Sequence, residues 1–72
     1  MTNSVAAGDA DLLRLRVEFL AMSGLRLTVD QAARRLDVRV EKSRALLSSL
    51  EDEGFLMCES DGGYRRAFPL MA

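Results

Sequence analysis

Apolar residues recur at intervals of three and four in the middle of the chain, which is the period of an amphipathic helix. The inward positions are the apolar Leu46, Leu47 and Leu50, together with the small polar Ser43 at the start of the stripe. It predicts a helix over about 40–53 that buries these positions. Gly54 follows directly and is expected to end the helix, because glycine adopts the left-handed conformation that closes many helices.

A second helix is predicted just before this one. Residues 28–31 read Thr-Val-Asp-Gln, which matches a capping box in which Thr28 and Gln31 satisfy each other's exposed amides. This helix should end near Leu36. Asp37 then lies where the chain must turn sharply, and aspartate is one of the few residues besides glycine that tolerate a left-handed backbone.

A first helix is predicted over about 11–23, capped by Asp9 or Asp11 and closed by Gly24. Its apolar residues are Leu12, Leu13, Leu15, Val17, Phe19, Leu20 and Met22. At 100° per residue they cover more than half of the helix circumference, which is wider than the stripe of an ordinary surface helix. One face of this helix is therefore expected to be left over for a partner.

The remaining segments have the period and length of strands. Residues 25–27 alternate apolar and charged side chains, and two five-residue runs at 55–59 and 64–68 are separated by Ser-Asp-Gly-Gly at 60–63, a strong hairpin signal. Pro69 should end the last strand, because it has no amide to donate. The order predicts an α+β domain with the winged helix-turn-helix architecture: three helices, a short strand and a two-stranded β-hairpin wing.

Composition excludes several function classes. The chain has 72 residues, one cysteine, Cys58, and no histidine. Neither an intrachain disulfide nor a zinc site of the usual ligands can be assembled from these residues, and histidine-based catalysis is absent. We therefore expect a cytoplasmic binding module rather than an enzyme, with no metal or cofactor and no membrane span. Residues 1–8 are expected to be a disordered lead-in to a domain over 9–72.

Charge is segregated along the chain although the net charge is only −1. Residues 26–44 hold six basic and three acidic side chains, whereas 45–63 hold five acidic and no basic ones. Arg65 and Arg66 follow the predicted hairpin turn. The positive part therefore coincides with the second helix, the turn and the start of the third helix.

Three segments resemble the DNA-binding domain of bacterial winged-helix regulators. They are 27–38 (LTVDQAARRLDV), 43–56 (SRALLSSLEDEGFL) and 61–65 (DGGYR). The IclR type is most similar, with the DeoR and MarR types also similar, and the resemblance covers about 11–70. It implies that the third helix enters the major groove of double-stranded DNA. The effector domain of IclR-type regulators has no counterpart here, so no inducer pocket is implied.

Two positions depart from the pattern of these regulators. Arg39 stands where a capping Ser or Thr usually opens the third helix, and Asp37 replaces the common turn glycine. The outer face of the third helix is expected to be centred on Glu41, Ala45, Ser48 and Asp52. Two carboxylates on that face are a poor match for phosphate.

The residues around this face supply the predicted DNA contacts. Arg39, Lys42, Arg44 and Ser48 are expected in the groove, and Arg34, Arg35, Arg65 and Arg66 on phosphates. The competing interpretation is an ordinary solvated surface in which the arginines pair with Glu41, Asp37 and Asp30.

Two functions remain open from the sequence. The first is a transcription regulator that binds a palindromic site as a homodimer, through the first helix and with the aid of 68–71. The alternative is a protein-interaction or accessory module that does not bind DNA, which the acidic 45–63 segment and the carboxylates on the outer face favour.

Overall fold

The computed structural model describes residues 9–67, which form a small α+β domain of three helices and one antiparallel sheet. The elements are α1 (Ala10–Ala21), β1 (Arg26–Leu27), α2 (Val29–Leu36), α3 (Val40–Asp52), β2 (Leu56–Cys58) and β3 (Tyr64–Arg66). The predicted order of helices and strands is confirmed. Both hairpin strands are three residues long, shorter than the predicted runs.

The sheet has the strand order β1-β3-β2. Tyr64 on the central strand lies opposite Leu27 on one side and Cys58 on the other. Gly62 at the hairpin turn adopts a φ of +94°, a conformation that L residues rarely adopt. The hairpin therefore forms at the predicted place, and β1 ties it to the segment between α1 and α2.

The start of α1 agrees with the sequence prediction, but its end does not. Asp9 is the N-cap, and its side chain accepts a hydrogen bond of 2.8 Å from the amide of Asp11. The helix ends at Ala21, and Met22 is already extended with a φ of −125°. The predicted closure by a left-handed Gly24 is wrong. The chain leaves the helix early because it must carry Leu27 into the core and the sheet.

The α2–α3 connection follows the sequence closely. Thr28 and Gln31 form the capping box, with bonds of 2.9 and 3.2 Å. Asp37 is left-handed, with φ 59° and ψ 50°. Arg39 precedes α3 without a side-chain capping bond to the described residues, and α3 ends one residue earlier than predicted, just before a left-handed Gly54.

The core lies between the three helices and the sheet. Its fully buried members include the whole predicted stripe of α3, with Ser43 at 0% exposure among leucines. The Ser43 hydroxyl donates a 2.8 Å hydrogen bond to the carbonyl of Val29, so the one buried polar side chain in residues 9–67 is satisfied and joins α3 to α2. This packing fixes which face of α3 points outward.

Some predictions lie outside the described residues: the lead-in at 1–8, the strand end at Phe68 and Pro69, and the role of 68–71 in dimerisation. Within 9–67, no helix is long and apolar enough to cross a membrane.

Candidate nucleic-acid interface

The exposed side of α3 carries a row at every fourth residue, Val40, Arg44 and Ser48, and all three side chains are exposed. Ala45 was predicted for the outer face, but it is half-buried and packs against the core. The surface offered by α3 is therefore shifted towards the side that carries Arg44.

Charge on α3 is polarised along the helix axis. Arg39 and Arg44 lie at its start, whereas Glu51 and Asp52 occupy its last turn. The N-terminus of a helix also carries a partial positive charge from its free amides. Glu41 sits in the first turn, 82% exposed and only loosely associated with Arg39 at 3.8 Å. The start of α3 is thus the end better suited to a polyanion.

Arg34 adjoins this end of α3 from α2. It lines a shallow groove of about 270 Å³ with Val38 and Val40, which also includes the carboxylates of Asp30 and Asp37. No carboxylate among residues 9–67 lies within 4.0 Å of the guanidinium of Arg34 or of Arg44. Of the pairs named by the competing interpretation, Arg39–Glu41 forms at 3.8 Å, whereas no ion pair with Asp30 or Asp37 forms among residues 9–67.

Lys42 lies away from this surface. Its ammonium is 2.9 Å from the carboxylate of Asp9 and 3.9 Å from that of Asp11, at the start of α1. The hydrogen bond to Asp9 raises the pKa of Lys42 and lowers that of Asp9. Lys42 was predicted to lie in the DNA groove. In the structure its side chain joins α3 to the start of α1.

Arg35 has a similar role. Its Nε donates a 2.7 Å bond to Glu18 of α1. The pair joins the end of α2 to α1, and both side chains are a little over one-third exposed. Arg35 can reach solvent, but its charge is balanced by a neighbour that the sequence did not indicate.

The hairpin carries charges that cancel one another. Glu59 accepts from Arg26 at 2.8 Å and from Arg65 at 2.7 Å, and Arg26 also pairs with Asp61. The bonds from Arg26 and Arg65 hold the pKa of Glu59 below its ordinary value. Two arginines and two acids are thus joined in one network, and the hairpin presents little net positive charge.

Arg66 is used in packing. Its guanidinium lies 5.0 Å from the centre of the Phe55 ring, and that of Arg16 lies 5.1 Å from the same ring. Arg16 also forms a double hydrogen bond to Glu53. This cluster joins α1, the end of α3 and β3, and gives Arg66 a packing contact within the domain.

The predicted site residues thus separate into two groups. Arg34, Arg39, Arg44 and Ser48 surround the start and middle of α3; Arg35, Lys42, Arg65 and Arg66 hold partners inside the domain. The sequence analysis missed the ion pairs of Glu59 with Arg26 and Arg65, which reduce the net positive charge of the hairpin. The signal for them was that Arg26 lies on a predicted strand able to pair with the hairpin.

Comparison with known protein families, curated proteins and solved structures finds no match to this chain. The described part of the chain also brings together no three Cys, Asp or Glu side chains in an arrangement that could hold a metal ion.

Proposed function

We propose that this domain is a winged helix-turn-helix that binds double-stranded DNA as a transcription regulator, with the first half of α3 in the major groove. One observation carries the proposal. Three arginines flank the start of α3: Arg34 and Arg44, which have no carboxylate within 4.0 Å among residues 9–67, and Arg39, which is only loosely paired with Glu41. The element order and the strand order β1-β3-β2 agree with this architecture.

Each residue has a chemical role in the proposed complex. Arg44 and Arg39 present guanidinium donors suited to guanine O6 and N7, and Ser48 can donate to or accept from a base edge. Arg34 on α2 is placed for a phosphate beside the groove. In helix-turn-helix proteins the first residues of the recognition helix make the base contacts, so the acidic last turn of α3 can lie outside the groove.

The proposal also limits what the hairpin contributes. Arg65 is paired with Glu59, and Arg66 packs against the ring of Phe55. We therefore expect fewer phosphate contacts than the number of basic residues implies, and a weaker salt dependence than that of a strongly basic DNA-binding domain.

Selection of bound sequences from a random duplex pool tests the proposal. The wild type should enrich a defined sequence, and Arg44→Ala should lose it. Arg65→Ala is the matched control, since it removes an arginine that Glu59 already neutralises. Recovery of no sequence by the wild type would overturn the proposal.

A second candidate is a module that binds a basic protein partner. The exposed Glu51 and Asp52 at the end of α3 favour it. Under this alternative the wild type enriches no duplex, and Arg44→Ala leaves partner binding unchanged, whereas Glu51→Lys abolishes it.

A further inference from the structure

The outward face of α1 is apolar although nothing in residues 9–67 covers it. Leu13, Val17 and Leu20 are 61%, 50% and 53% exposed. Their spacing of four and three residues places them in one stripe, on the side opposite the buried Leu15 and Phe19. A continuous apolar stripe on a small domain marks an interaction surface.

One edge of the stripe carries two opposite charges. Arg14 and Glu18 are one helical turn apart on this edge, and their side chains are 54% and 37% exposed. Each already has partners in its own chain, because Arg14 donates to Asp11 and to the carbonyl oxygen of Leu36, and Glu18 accepts from Arg35. Both side chains retain exposed atoms. The other edge of the stripe is formed by Leu13 and Leu20.

We propose that this stripe is a self-pairing surface whose occupant is α1 of a second copy of the chain, antiparallel about a two-fold axis beside Val17, between residues 16 and 17. In that arrangement Val17 lies against the partner's Val17, and Leu13 meets the partner's Leu20. On the charged edge, Arg14 comes within reach of the partner's Glu18, and the symmetry repeats each contact.

The stripe is complementary to a second copy of itself, and this favours a second copy of the chain as the occupant. The antiparallel pair matches leucine with leucine on one edge and arginine with glutamate on the other. A parallel pair would set Arg14 and Glu18 against the partner's leucines, where each charge would lose water without gaining a partner.

The size of the stripe sets the strength of the pairing. A helix of 12 residues is about 18 Å long, and it contributes less than the roughly 800 Å² per partner that stable interfaces bury. The dimer should therefore be weak in free solution and favoured when two copies occupy adjacent half-sites. The biological use of this dimer rests on the proposed DNA-binding function. Whether the dimer forms can be measured without DNA.

Cysteine cross-linking tests both the surface and the register. In a Cys58→Ser background, Val17→Cys should form a disulfide-linked dimer at least about tenfold faster than Met57→Cys, a control at an exposed apolar residue on the hairpin. Leu13→Cys and Leu20→Cys should cross-link when mixed, and much more slowly when each is alone. Equal rates for Val17→Cys and Met57→Cys would overturn the proposal.

Sedimentation at up to about 1 mM protein supplies the second readout. The average mass of the wild type should rise with concentration, and Val17→Glu should stay monomeric while keeping its helical circular dichroism. Arg14→Glu should weaken the dimer, and adding Glu18→Arg should restore it. A wild type that is monomeric throughout, or a dimer that survives Val17→Glu, contradicts this interface whatever the DNA experiments give.

Discussion

Lys42 Nζ lies 2.9 Å from a carboxylate oxygen of Asp9, the residue that also caps α1. One carboxylate thus serves two helices, since it accepts from the first turn of α1 and from the first turn of α3. The bond helps to set the angle between the helix that carries the proposed DNA contacts and the helix that carries the proposed dimer stripe.

Replacing Asp9 with alanine should lower the melting temperature, because α1 loses its cap and Lys42 its partner. Asp9→Asn is the matched control, since asparagine is an equally good cap without the charge. We expect Asp9→Asn to fall between the wild type and Asp9→Ala in thermal unfolding at neutral pH. Equal stability of all three proteins would show that neither contact matters.

The difference in stability between the wild type and Asp9→Asn should depend on pH, because only the wild type carries a charge at residue 9. The hydrogen bond from Lys42 holds the pKa of Asp9 below its ordinary value of 3.8. A depressed pKa in the folded state means that the charged form stabilises the fold above that ordinary value, and that this stability is lost as pH falls through the folded pKa. The advantage of the wild type over Asp9→Asn should therefore be full at about pH 7 and should decline once the pH falls below 3.8.

Ser43 should tolerate neither loss of its hydroxyl nor an increase in size. Ser43→Ala leaves the contact to the Val29 carbonyl unmade and should cost about 1 kcal/mol of unfolding free energy. Ser43→Leu must fit three extra carbon atoms into a fully buried site and should cost about 1–3 kcal/mol or more. Urea unfolding measures both values, and Ser49→Ala on the half-buried flank of α3 is the control. A neutral Ser43→Leu would contradict the described packing.

Asp37 should be replaceable by glycine but not by a β-branched residue. Its φ of 59° is strained for valine, so Asp37→Val should lose about 1–2 kcal/mol. Asp37→Gly should change stability by less than about 0.5 kcal/mol, because relief of strain offsets the greater freedom of the unfolded chain. Denaturant melts check the order, with Ser48→Val as an exposed helical control. An Asp37→Val protein as stable as the wild type would exclude the left-handed turn.

Local signals in the sequence predicted most of the fold. The capping box at Thr28 and Gln31, the left-handed Asp37 and the α3 stripe each depend on residues within a few positions of one another. A local signal predicts the structure correctly when the packing of the rest of the domain favours the same backbone conformation. The prediction for the end of α1 was wrong because it used a local signal, Gly24. The chain leaves the helix at Met22, and the positions of the core and the sheet set that point.

The candidate site was harder to predict, because its charges depend on distant residues. Arg35 pairs with Glu18, 17 positions away, and Lys42 with Asp9, 33 positions away. A count of basic residues along the chain treats these cations as available, but folding brings a carboxylate to each. Arg34 and Arg44 differ from them only through their place in the folded domain.

Glu59→Gln should increase the affinity of the domain for any DNA duplex. The change removes the carboxylate shared by Arg26 and Arg65, so the hairpin gains positive charge beside α3. The gain should be largest at low salt and should not change which sequence is preferred, because phosphate contacts carry no sequence information. Fluorescence anisotropy across a salt series measures it. Unchanged binding by Glu59→Gln would indicate that the hairpin does not approach DNA.

The salt dependence of DNA binding by the wild type and by Arg44→Ala tests the central claim most directly. If Arg34, Arg39 and Arg44 each neutralise about one phosphate charge in or beside the groove, log K should fall against log salt with a slope of about −3 per domain. The slope would be about −6 if all seven predicted cations did so. Arg44→Ala should lose at least about tenfold in affinity for the selected sequence, while Arg65→Ala stays within about twofold. Binding that is absent at low salt, or that is equally sensitive to both substitutions, would contradict the account.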